Sequence, residues 1–225
     1  MQSTPIPDLP TLNELNARFP MMRPYVGCPD CPSDSPRILL VGESHYLPPE
    51  STVHLDAASW YASSARDLTA EERDWMDTAT IYAKAMAENF ANKAHSIWGN
   101  SLWALNHYGP AYPDYREAAA HVVTCNFFLR PAVEGESLEV EDLDVHYANL
   151  RFQSLLNELR PTAVVFLSRL AFTHLTVPIP VPHLAVPHPG SPWWNRASAK
   201  YENRIGREYF GQFIAQLPWC SSMGK

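Results

Sequence analysis

No apolar run in this sequence approaches the roughly 18 residues that a membrane-spanning helix requires. The proline-rich N-terminus also lacks the apolar core of a signal peptide. These absences imply a soluble, cytoplasmic protein with no membrane partner. Cysteine is sparse, at four residues in 225, and disulfides are disfavoured in a cytosolic chain. Cys28 and Cys31, in "GCPDCP", have the spacing of a metal knuckle or a redox motif. A tetrahedral metal site needs two further ligands, and two reduced thiols in a proline-rich turn explain the pair as readily.

Charged residues are also few, at 18%, against 46% hydrophobic residues, which provide for a buried core. The length suits one sizeable α/β domain and is short for two. With no internal repeat, a single domain over residues 1–225 is expected, with the proline-rich residues 1–36 packed on it. The formal net charge is −7, which at first sight opposes a nucleic-acid partner. However, "EGESLEVEDLD", residues 134–144, holds six acids and no base, as a solvated loop would. Without it the chain carries 17 basic and 18 acidic residues. Global charge therefore neither supports nor excludes DNA, and local patches must decide.

The segments that are present alternate. "TLNELNARFP" reads as a short helix, and "RILLVG" as a buried strand. In "LTAEERDWMDTATIYAKAMAENF", Thr69 and Glu72 fit a capping box. Trp75, Ala79, Tyr82, Met86 and Phe90 then follow at helical spacing, a stripe that fits core packing. "HVVTCNFFL" is a second strand, and "VHYANLRFQSLLNELRP" is a helix stopped by Pro161. Leu150, Leu155, Leu156 and Leu159 mark its apolar face. "TAVVFLS" is a continuous apolar strand of the kind buried in parallel sheets. "HLAVPHPGSPWWNR" is a short strand running into a polar-aromatic loop, and residues 197–217 close with a helix. This order predicts a three-layer α/β/α sandwich with a four-stranded parallel sheet.

In such sheets, sites form beyond the carboxyl ends of the strands. Three of those loops are unusually polar: "GESHY", the Asn126 end of "VVTCN", and "HPGSPWWN". In this order they resemble the uracil-DNA glycosylase superfamily, over roughly residues 25 to 195. Its members carry GQDPYH after the first strand, an Asn after the second and HPSPLS after the last. "GES" is also similar to the GEAPG of a thermophile-type branch with an upstream CxxC. That branch completes an iron–sulfur cluster with two more cysteines beyond the second strand. Here Cys125 precedes Asn126 and Cys220 lies near the C-terminus, so no complete cluster is expected.

The resemblance implies DNA repair by base excision: hydrolysis of the N-glycosidic bond of a deaminated or damaged, uracil-like base, without metal or other cofactor. Asn126 would read the base edge, since its amide offers both donor and acceptor. His188 would stabilise the charge on the departing base. Tyr46 would wall the pocket against bulkier bases, and Trp60 or Tyr61 would stack on the flipped base. Ser44 stands where many relatives place a water-activating Asp or Asn. A lone hydroxyl is no base near neutral pH, so Glu43 or Ser44 would orient water. At the DNA contact, Ser191 would lie in the loop, and Trp193 and Trp194 would sit at a wedge. Arg196, Lys200 and Arg204 recur every fourth residue and would form a phosphate-binding stripe on a helix. A monomer with DNA or a nucleotide as partner is expected. The alternative is a non-catalytic member that binds a nucleotide or nucleic acid, which Ser44 favours. A third reading is an unrelated hydrolase of a small nucleoside-like substrate.

Overall fold

A computed structural model describes residues 10–27, 37–92, 95–109, 112 and 114–217. Cys28, Cys31 and Cys220 fall outside these residues. Helix α1 (Leu12–Arg18) opens on a capping box between Thr11 and Glu14. Strand β1 (Tyr25–Val26) leads to β2 (Ile38–Gly42), every residue of which is buried. After β3 (Tyr46–Leu47) come α2 (Ala57–Ala62), α3 (Ala70–Met76) and α4 (Thr78–Ala87). Next are α5 (Ser96–Tyr108), α6 (Tyr115–Ala120), β4 (Val122–Asn126) and β5 (Ala132–Val133). The chain continues through α7 (Asp142–Leu159), β6 (Ala163–Phe166), α8 (Arg169–Thr173), β7 (His183–Ala185) and α9 (Gly206–Ala215).

The main sheet has the order β1-β4-β2-β6-β7, and β3 pairs with β5 in a separate two-stranded ladder. Strands β4, β2, β6 and β7 are parallel, as expected from their uninterrupted apolar sequences. A fifth strand corrects the expected count of four: β1 runs antiparallel along β4, with Tyr25 opposite Thr124. Two residues carry no readable periodicity, yet they cover the edge that β4 would otherwise expose. Just after β1, Gly27 donates its N–H to the Val122 carbonyl. A Cβ at this glycine would lie 1.9 Å from the Ala119 carbonyl oxygen, so only glycine permits the approach.

Helices pack on both faces of this mostly parallel mixed sheet, an arrangement compatible with α/β/α layering. On one face, Ile38, Leu40 and Val165 meet Tyr82 of α4, Leu102 and Leu105 of α5, and Phe210 and Ile214 of α9. On the other, Leu39, Val41 and Phe166 meet Phe152, Leu155 and Leu156 of α7. Each such side chain contributes about 1.5–3 kcal/mol by leaving water. Leu150 is 45% exposed and does not share this face.

Three local expectations change. The helix expected over residues 68–90 breaks at Asp77, whose carboxylate caps α4 by accepting the Thr80 N–H at 2.9 Å. The Thr69–Glu72 capping box is present at the start of α3. The closing helix covers only Gly206–Ala215, because Glu202 and Asn203 both adopt left-handed backbone with φ of 58°. Arg196, Lys200 and Arg204 therefore do not share a helical face, and Arg204 is paired with Glu202 at 2.8 Å. Finally, the acidic run is only partly solvated. Asp144 is fully buried and accepts from Arg130 Nη2 at 2.6 Å and from the Tyr61 hydroxyl at 3.0 Å. Arg130 also donates to the His54 and Glu139 carbonyls, tying three loops together. No described helix is long and apolar enough to cross a membrane.

Breaking a buried pair strands the remaining charge. Asp144→Ala is expected to lower unfolding free energy by about 3–5 kcal/mol in urea titrations, whereas Glu202→Ala at the surface pair should change it by less than about 1 kcal/mol. Equal effects would show that the Arg130 network does not pin these loops.

Candidate functional site

The parallel register sets Gly42, the last residue of β2, beside Asn126, the last residue of β4. A side chain at position 42 would place its Cβ 2.3 Å from Asn126 Oδ1, and 3.6 Å from the indole of Trp98. The Asn126 amide thus lies across Gly42, in a space that any larger residue would fill. It has no hydrogen-bond partner among the described residues, so its donor and acceptor are both free. Beyond these strand ends the two segments stay zipped together. Phe127 N–H donates to the Gly42 carbonyl, Phe128 to Glu43 and Ala132 to His45.

Glu43 comes next, partly exposed, with its carboxylate held at both oxygens. Ser168 Oγ donates to Oε2 at 2.8 Å, and the Leu138 N–H donates to Oε1 at 3.2 Å. Ser168 follows β6 and caps α8, so β2 and β6 jointly fix this carboxylate. Ser44 is buried, and its hydroxyl has no hydrogen-bond partner. His45 is buried too, with Nε2 3.3 Å from Thr78 Oγ1. Burial, reinforced by the Arg151 guanidinium, pushes its pKa down to about 3, so the ring is neutral. Arg151 itself donates to the Met22 carbonyl and, at 3.5 Å, to the Asn126 carbonyl.

His188 follows β7. The Gly190 N–H donates to its Nδ1 at 3.1 Å, so the neutral ring carries its proton on Nε2. Its side chain reaches solvent, yet the protein packed around the ring holds its pKa below the ordinary imidazole value, while the Glu43 carboxylate pulls it upward. The loop is anchored from α5: Asn100 Nδ2 donates to the Pro189 carbonyl at 2.8 Å. Tyr46 is 38% exposed, and its phenol pKa is raised by burial and by Glu43. Glu43 therefore acts electrostatically on both His188 and Tyr46.

Other expected site residues lie elsewhere. Trp60 is fully buried and stacked on Phe19 at 4.5 Å, so it cannot stack on a base. Tyr61 is likewise buried, against Tyr147. Trp194 is buried against Phe210 and cannot serve as a wedge, whereas its neighbour Trp193 is 47% exposed. Ser191 Oγ is buried without a partner. Arg196 and Lys200 are exposed, one in a bend and the other in a 3-10 turn, without the helix that was to align them. Ser168, Trp98 and Asn100 are neighbours of the site that the sequence reading passed over. Ser168 did carry a signal, as the polar residue ending an apolar strand. Among the described residues, no group of three or more His, Cys, Asp or Glu side chains could hold a metal ion. No protein-family model matches this chain, and a search of curated proteins returns no match.

His188 is expected to titrate below the usual histidine range, with the Nε2–H tautomer dominant at neutral pH, in long-range ¹H–¹⁵N spectra. Glu43→Gln removes the charge that raises this pKa and should lower it further. An upward shift, or a proton resident on Nδ1, would contradict the arrangement.

Proposed function

We propose that this chain is a divergent relative of the uracil-DNA glycosylase superfamily that hydrolyses the N-glycosidic bond of a uracil-like base in DNA. The observation that carries the reading is the convergence of a free Asn126 amide, a neutral His188 and a fixed Glu43 carboxylate at the carboxyl ends of the sheet. A flipped base would be held by its edge on Asn126, with Tyr46 closing the pocket. As the bond from the sugar C1′ to the base nitrogen breaks, its electron pair passes to the base. The Nε2–H of His188 would donate to the base oxygen where that charge collects. Water would add to C1′ and give its proton towards Glu43, leaving an abasic sugar and the free base. The exposed Trp193 is suited to fill the space left by the flipped nucleotide.

A second reading keeps the binding and drops the chemistry. Ser44 occupies the position of the water-activating residue in many relatives, and here its hydroxyl is buried without a partner. A nucleotide- or nucleic-acid-binding protein of the same superfamily would tolerate that.

Single- and double-stranded oligonucleotides carrying uracil, hypoxanthine or xanthine, assayed for abasic sites, separate the two. Excision of at least one base is expected, with His188→Ala reducing the rate by about 10²–10³-fold and Asn126→Ala reducing it as well. Binding of every substrate without product would favour the second reading. Excision untouched by both substitutions would overturn the assigned roles.

A further inference from the structure

Behind the His188 loop lies a cavity of about 390 Å³, between the start of α5 and the 3-10 turn Pro192–Trp194. That volume suits a nucleotide-sized ligand. Asn100 belongs to both places: its side chain lines the cavity while its amide holds the Pro189 carbonyl. Ser96, also in the lining, lies 2.9 Å from where a Cβ on Gly190 would be. The cavity and the candidate base site therefore share a wall.

The lining is chemically selective. It is rich in asparagine, including Asn89, Asn100 and Asn195, and none of its described residues is acidic, although the chain as a whole carries −7. Its one cation, Arg207, has no carboxylate within ion-pair distance among the described residues. It donates instead to Asn195 Oδ1 at 3.2 Å. Trp103 is 38% exposed, with its indole braced on the His107 ring at 4.9 Å and nearly parallel. The Arg207 guanidinium sits 6.0 Å over that indole, at the outer limit of a cation–π contact, where a flat ring can displace it. An aromatic shelf, a cation with no carboxylate partner among the described residues and a lining rich in asparagine match the needs of a nucleotide with an exposed base face.

We propose that this cavity binds the unpaired nucleotide next to the excised one, with its base on Trp103 and its phosphate on Arg207, which favours single-stranded over duplex DNA as substrate. The inference rests on the glycosylase reading above. In a duplex the neighbouring base is paired and stacked within the helix and cannot enter a cavity; in a single strand it is free to do so.

The test is binding of an undamaged, labelled oligothymidylate to the intact protein, followed by fluorescence anisotropy over a range of salt concentrations. A duplex of equal length is measured alongside. Trp103→Leu should weaken single-strand binding about tenfold, while Trp103→Phe keeps a ring and should bind within about threefold of wild type. Arg207→Gln should reduce the log–log salt slope by about 0.7, the value for one phosphate contact on a single strand. Duplex binding should change little in any variant. Because Arg207 is a surface cation, its salt slope decides the matter even if Trp103→Leu unfolds. Wild-type binding with every variant equal to it in affinity and slope would overturn this subsite while leaving the glycosylase reading intact. Equal losses on duplex and single strand would also overturn it. Failure of the wild type to bind any DNA, uracil-containing strands included, would overturn both.

Discussion

The pairing of β2 with β4 in parallel register is the constraint on which the candidate site depends. It sets Gly42 opposite Asn126, and the missing side chain at position 42 is what gives the Asn126 amide its place. A slip of one residue would turn every side chain of the strand to the other face, moving the asparagine away and forcing the residues of β2 into the opposite core. The register is held by burial on both faces, since alternate residues of Ile38–Val41 belong to opposite cores. One set of apolar contacts thus both stabilises the sheet and positions a polar group at its edge.

From that edge the remaining parts are fixed by polar contacts that reach back into the fold. Glu43 is held by a hydroxyl from the end of β6 and by a backbone N–H in the acidic segment. That segment is in turn tied down by the buried Arg130–Asp144 pair through Glu139 and the start of α7. His188 takes its tautomer from a backbone N–H two residues ahead, and its loop takes its position from Asn100. Glu43 and His188 are thus held in place by the fold, whereas the buried Ser44 hydroxyl has no hydrogen-bond partner.

The strands were legible because uninterrupted apolar runs ending in polar residues leave few alternatives. For the same reason Glu43, Asn126 and His188 stand out in the sequence as strand-end groups. Burial of aromatic residues was not legible: tryptophan packs in cores and at contact surfaces alike, and nothing in "DAASWYA" or "SPWWN" separates buried Trp60 and Trp194 from exposed Trp193. The break at Asp77 and the left-handed pair Glu202–Asn203 were hidden because periodicity runs on through residues that cap or turn. Strand β1 was too short to show a pattern. The Arg130–Asp144 pair joins residues whose partnership depends on where α7 lands, so its acid read as one of many in a solvated run.

The most direct test of the proposed base site is the response of side-chain signals to free uracil. On titration into ¹⁵N-labelled protein, uracil should shift the Asn126 side-chain amide and the His188 Nε2 resonance together and saturably, and Gly42→Ala, which crowds the amide, should abolish both shifts. Unchanged Asn126 and His188 signals at saturating uracil, or shifts that survive Gly42→Ala, would contradict it.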